Sequence, residues 1–200
     1  MRLRLKFAAL VAALLLATAT PALAVPSPYH VNDTVGVAHS PKGNITSLDV
    51  VLTATRVSIN LTLAQGVNLQ TASSWGDGAD TTIVVEIDGG GASDSDFSVN
   101  IRYNGGGIEG IVIDRWPLNI ACPASVAQPG GTAHIRLRFP RSCLVPGASM
   151  SGPGAPPYVG EPNYVRLRVA YRYDKNADGT ADTVDRTPDG RYTPAIHFPA

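Results

Sequence analysis

The 200-residue chain predicts an all-β fold, a single antiparallel β-sandwich of the jelly-roll or Ig-like class. Three observations carry that expectation. Beyond residue 25, apolar side chains recur every second residue through most of the chain, which is the period of a strand with one buried face. Helical spacing is hard to find in the same region. Gly, Pro, Asn and Asp cluster between the alternating runs, where tight turns need them. Short alternating strands without intervening helices assemble as antiparallel sandwiches or barrels.

The first 24 residues stand apart from this pattern. Arg2, Arg4 and Lys6 precede an apolar run of 11 from Phe7 to Ala17, and Ala22-Leu23-Ala24 has the form of a cleavage site. The expected leader is therefore 1–24, cleaved after Ala24, and the expected product is secreted. Its apolar run is shorter than the roughly 20 residues that span a bilayer. No second long run follows, so no membrane span is expected.

Loss of the leader's three cations turns a balance of 16 basic and 16 acidic residues into 13 against 16. Without a basic excess, nucleic acid is set aside as a partner. Residues 25–200 suit a single domain able to bury its own core.

The strands follow in order. Leu48 to Ala54 leads into a run where Val57, Ile59, Leu61 and Leu63 alternate with Ser58, Asn60 and Thr62. Thr81 to Asp88 is the next strand. Phe97, Val99, Ile101 and Tyr103 then alternate with polar residues, and Ile108 to Trp116 pairs after them. Ile135, Leu137 and Phe139 alternate with His134, Arg136 and Arg138. Val165, Leu167, Val169, Tyr171 and Tyr173 alternate with Arg166, Arg168, Ala170 and Arg172. The segment 144–162, rich in proline and glycine, reads as a long surface loop returning to one last hairpin.

Cys122 and Cys143 are an even pair in an exported chain, which predicts one disulfide closing a Pro/Gly-rich loop. The chain-entropy model assigns such a loop of about 20 residues roughly 3 kcal/mol.

One stretch has the spacing of a metal loop. In Asp174-Lys175-Asn176-Ala177-Asp178-Gly179-Thr180-Ala181-Asp182-Thr183-Val184-Asp185, oxygen-bearing side chains fall at positions 1, 3, 5, 9 and 12, with glycine at 6. Calcium takes several oxygen ligands from such a tight loop. Asp174, Asn176, Asp178, the Thr180 carbonyl, Asp182 and Asp185 form the candidate set, and calcium the candidate structural cofactor. The other reading is a hairpin tip, since Asn176-Ala177-Asp178-Gly179 is turn chemistry without any ion. Asp88, Asp94 and Asp96 form a second acidic loop, expected to be a solvated hairpin, with a second ion site as the alternative.

The stretch resembles the calcium loops of dockerins, which read D-x-N-x-D-G-x-x-D-x-x-D. The strand before it and Pro188 after it exclude an EF-hand helix pair. A second resemblance runs over Asn32-Asp33-Thr34-Val35-Gly36, Ser47-Leu48-Asp49-Val50-Val51, Glu86-Ile87-Asp88 and Asp96-Phe97-Ser98-Val99. That order of features is similar to the DOMON and family-9 carbohydrate-binding-module type of β-sandwich. It implies a sandwich fold and binding of sugar or haem, with calcium bracing the sugar binders. Val37 stands where that pattern has its second Asp, and Met150 is the only Met beyond the leader, which leaves no Met/His pair for haem.

Catalytic signatures are missing from the sequence. It has no G-x-S-x-G elbow, and His30, His39, His134 and His197 lie too far apart for H-x-H or H-E-x-x-H spacing. Alternation does not place Glu86, Glu109 and Glu161 across a cleft from one another, as glycoside hydrolysis needs. The expectation is a non-enzyme.

Binding has more material. Trp75 lies among loop-forming residues, where its ring is either a sugar platform or folded over the sandwich edge. Arg136, Arg138, Arg166, Arg168 and Arg172 face outward by parity. They could grip an acidic cell-wall polymer, or be neutralised by carboxylates such as Glu86 and Asp88 on a neighbouring strand. The expected function is a secreted, non-catalytic module binding carbohydrate or cell-envelope material. A secreted structural or interaction protein without a small ligand is the alternative, and a hydrolase comes third.

Overall fold

A computed structural model of the chain describes residues 27–33, 41–76, 78–90, 95–115, 118–146, 160–189 and 191–199, without the side chains of 41, 114, 115 and 118–121. The leader, Asp94, Trp116 and most of the Pro/Gly-rich segment lie outside the described residues. The described chain is antiparallel β structure with three short 3-10 turns and no α-helix.

The strands are β1 (Tyr29–Asn32), β2 (Ile45–Leu52), β3 (Arg56–Leu63), β4 (Thr82–Asp88), β5 (Phe97–Tyr103), β6 (Ile108–Arg115), β7 (Leu118–Ala127), β8 (His134–Pro140), β9 (Tyr164–Tyr173), β10 (Thr183–Thr187) and β11 (Ile196–His197). They pair in the order β1-β2-β3-β8-β7-β6-β5-β4-β9-β10, with β11 on the edge of β9 beside β10.

Two curled layers share one core, and β7 joins them. Its residues up to Ala124 pair with β6, whereas Ser125 to Ala127 pair with β8. The inner faces follow the predicted parity: Val57, Ile59, Leu61 and Leu63 from one layer meet Ile83, Val85, Phe97, Val99, Val165, Leu167 and Tyr171 from the other. At the open side, the Ile45 backbone N–H of β2 donates to the Asp185 carboxylate of β10 at 2.6 Å.

Three elements depart from expectation. β7 runs through the segment read as a loop between the cysteines, and the disulfide links that strand to the 3-10 turn Arg141–Leu144 after β8, with Cα atoms 5.9 Å apart. Pro123 hid the strand, because proline donates nothing to a ladder and is confined to edges and irregular points. Here it stands immediately before the residues that leave one layer for the other. β10 occupies part of the supposed metal loop. The second acidic loop is not solvated at its two described carboxylates: Asp88 and Asp96 are buried, with Asp88 ion-paired to Arg166 and Asp96 accepting the Gly89 N–H at 2.9 Å.

Candidate functional site

The outward arginines fall into two groups on two layers. On β9, Arg166 and Arg168 stand directly opposite Asp88 and Glu86 of β4 and are paired with them, the Arg168 Nε reaching Glu86 at 2.9 Å. Arg172 pairs with Asp80. The Tyr192 ring covers both, 5.8 Å from the Arg166 guanidinium and 5.3 Å from that of Arg168. Of the sequence's candidates for ligand binding, Arg166 and Arg168 thus each face a carboxylate and the Tyr192 ring.

The other group has no carboxylate partner among the described residues. Arg136 and Arg138 of β8 face Asn60 and Ser58 of β3 on one side and Ala127 and Ser125 of β7 on the other. Arg138 Nε donates to Ser58 Oγ at 3.4 Å, a neutral partner. Arg56 opens β3 next to them, opposite Pro140. Among the described residues Arg56, Arg136 and Arg138 form no ion pair, a condition shared among arginines only by Arg186 and Arg191 near the C-terminal edge. Asn32, Ser47, Thr62 and His134 continue the same outer surface as a row of hydrogen-bonding side chains beyond Asn60 and Arg136. The one described carboxylate on this face, Asp49, is engaged by His30 at 2.6 Å. Those hydrogen bonds to Asp49 and Asn32 raise the His30 pKa.

A groove of about 500 Å³ lies at the edge of this face, where β7 changes layers; Arg56, Arg138, Pro123, Ala124, Ser125 and Pro140 line it. Sequence reading found Arg138 but missed Arg56, although it extends the outward parity of Ser58, Asn60 and Thr62 by one residue, and missed the groove, which depends on where β7 changes partners. The available signal was Pro123 following Cys122, a proline held beside a cross-link.

The 174–185 stretch divides. Asp174, Asn176, Asp178 and Asp182 belong to one turn after β9, and Asp185 lies on β10 opposite Tyr171. The Asp174 carboxylate is already enclosed by backbone donors: Oδ2 accepts from Asp80 at 3.1 Å and Gly179 at 2.9 Å, and Oδ1 from Asn176 at 3.1 Å and Asp178 at 3.3 Å. Asp178 accepts from the Thr180 N–H, and Asp182 from the Lys175 N–H at 2.6 Å. Burial pushes the Asp174 carboxyl upward, but the backbone donors outweigh it and hold its pKa below the ordinary Asp value. No three His, Cys, Asp or Glu side chains among the described residues gather in a metal-holding group.

Asp185 has a different setting. It is 3% exposed, accepts the Ile45 and Arg186 N–H groups, and its pKa is raised, first by burial and then by Asp33 and Asp189. A carboxyl raised in the fold contributes stability that is complete below its unfolded pKa and lost as pH rises through the folded one. At neutral pH the charged Asp185 is therefore a net cost. Asp185→Asn keeps an acceptor for the Ile45 N–H without the charge. Thermal unfolding from pH 3 to 7 should show a higher midpoint than wild type at pH 7, with the gain shrinking in acid. A lower midpoint at pH 7 would mean that the two N–H donors outweigh burial.

Trp75 is not a surface platform. It is 2% exposed in the 3-10 turn Ser73–Trp75, belongs to the core, and its ring lies 6.0 Å from that of Tyr171. Its place as a sugar-stacking candidate is corrected by that burial: an indole over the sandwich edge gains more from covering the core than from facing water. His134 is exposed, and His197 packs its ring on Tyr164 at 5.6 Å. No described helix is long and apolar enough to cross a membrane.

No protein-family model matches the chain, and no curated protein matches its sequence. Among solved structures, a similar one is a Bacteroides uniformis protein proposed to bind carbohydrate. It has 11% identity and a TM-score of 0.41, with 86% of this chain and 87% of that chain covered.

Proposed function

We propose that the protein is a secreted, non-catalytic binding module for carbohydrate or cell-envelope material, and that its binding face is the outer surface of β3, β8 and the end of β7. The observation supporting this reading is the contrast between the layers. Arg166, Arg168 and Arg172 each face an internal carboxylate, whereas Arg56, Arg136 and Arg138 lie among Ser, Asn and Thr side chains without one. Guanidinium groups with neutral neighbours keep their donors available for a ligand. Hydroxyls and amides alongside them suit a polyhydroxylated partner.

The test is retention of the purified protein on a panel of immobilised glycans and cell-envelope fractions. Arg136→Ala/Arg138→Ala should lose about tenfold or more in affinity, the scale of removing charged hydrogen bonds. Trp75→Phe should bind as wild type does. Retention that the double variant leaves unchanged would move the site off this face. No retention on any fraction would remove the reading.

A further inference from the structure

The groove beside the disulfide narrows the reading above, on which this step rests. We propose that it is an anion subsite: Arg56 and Arg138 hold the oxyanion of one acidic unit of a polysaccharide, against a wall formed by Pro123, Ala124 and Pro140. Ser58 stands opposite Arg138 and Arg56 opposite Pro140, so the two arginines are diagonal neighbours across β3 and β8. Long side chains at diagonal positions reach one another. Two like charges so placed repel unless an anion lies between them, and no described carboxylate does.

Arg138 is oriented by its Nε hydrogen bond to Ser58, and among the described residues no acceptor takes its terminal nitrogens. A planar guanidinium held at Nε presents those two donors to the paired oxygens of a carboxylate or phosphate. At about 500 Å³ the groove has room for a sugar unit, and its prolines offer C–H surface to a pyranose ring.

The cross-link keeps that shape. Cys122 immediately precedes Pro123, and Cys143 lies in the turn directly after Pro140, so the Cys122–Cys143 disulfide ties the two walls together. A site held before the ligand arrives does not have to be ordered by it. A neutral sugar would leave both cations unanswered. Nucleic acid is disfavoured by the acidic balance of the chain beyond residue 24, 13 basic against 16 acidic.

Calorimetric titration decides it with three probes: oligogalacturonate, the same oligomer methyl-esterified, and polyglycerol phosphate. The acid should bind about tenfold or more tightly than its ester. Arg56→Gln and Arg138→Gln should each remove most of that difference while leaving the thermal midpoint unchanged. Arg102→Gln, which removes the Glu109 pair on the other layer, should have no effect. Equal binding of acid and ester would overturn the anion subsite and leave the binding module standing. Failure of every probe in this assay, with retention still seen on a neutral glycan, would likewise overturn only the subsite. An equal loss in Arg102→Gln would also overturn it, by showing that diffuse charge is responsible. Tighter binding of polyglycerol phosphate, lost in the same two variants, would support the subsite and assign its oxyanion to phosphate.

Discussion

Trp75→Ala is expected to lower the midpoint of thermal unfolding by roughly 10 °C, from a loss of about 3–5 kcal/mol in a domain of this size. Among the described residues the indole is the largest fully buried side chain, and it packs against Tyr171, itself 5.9 Å from Tyr173. Removing it opens a cavity where the 3-10 turn closes over β9. The same pair carries an internal cost, because Trp75 Nε1 and the Tyr171 hydroxyl interact with each other but make no hydrogen bond of ordinary geometry among the described residues. A buried polar atom without a partner costs about 1–3 kcal/mol. Trp75→Phe removes one such atom and keeps an aromatic ring, so it should fall well short of the alanine loss, and the two variants together separate packing from polarity. Circular dichroism melts of both are sufficient. An alanine variant that melts like wild type but loses its glycan would place the indole at the surface and return the site to the 73–76 turn.

Trp75 also shows why part of the molecule was legible in sequence and part was not. Parity carried the strands: Val165, Leu167, Val169, Tyr171 and Tyr173 are all buried, and Arg166 and Arg168 between them face Asp88 and Glu86 of β4 as the alternation allowed. Parity has no hold on Trp75, because Ala-Ser-Ser-Trp-Gly is not a strand and nothing local says which way its ring turns. The burial of Asp88 and Asp96 was hidden for a related reason. Acidic residues beside glycines read as solvated turns, whereas the interior is tolerable for Asp88 because the opposed Arg166 pairs with it and the Gly90 N–H donates to it. The binding face divides along the same line. Arg136 and Arg138 were visible as outward residues, but whether an arginine is neutralised depends on which strand lies beside it. That is decided by β7 leaving β6 for β8, a change of partner that Pro123 marks but does not explain by itself.

The turn after β9 should be closed by Asp174 and not by an ion. We propose that Asp174→Ala lowers the unfolding midpoint by roughly 5–10 °C, and that 10 mM calcium against EDTA moves the wild type by less than about 1 °C. The side chain accepts four backbone N–H groups, three from its own turn and one from Asp80 ahead of β4, while its own N–H donates to Thr81 Oγ1 at 2.9 Å. It therefore joins two loops that are distant in sequence. The turn needs that support: Ala177 and Gly179 both adopt positive φ, 56° and 84°, and an alanine there costs free energy that the enclosed carboxylate offsets. An ion would have to compete for lone pairs already in use, without Asp185, which is held on β10 by Ile45 and Arg186. The pH dependence follows from the sign of the shift. A carboxyl whose pKa is lowered in the fold contributes stability that is present above the unfolded Asp value and lost as pH falls, so the gap between wild type and Asp174→Ala should close in acid. A calcium-dependent rise of about 5–10 °C, abolished in Asp174→Ala/Asp178→Ala, would reverse the assignment, because only a bound ligand produces a rise of that size.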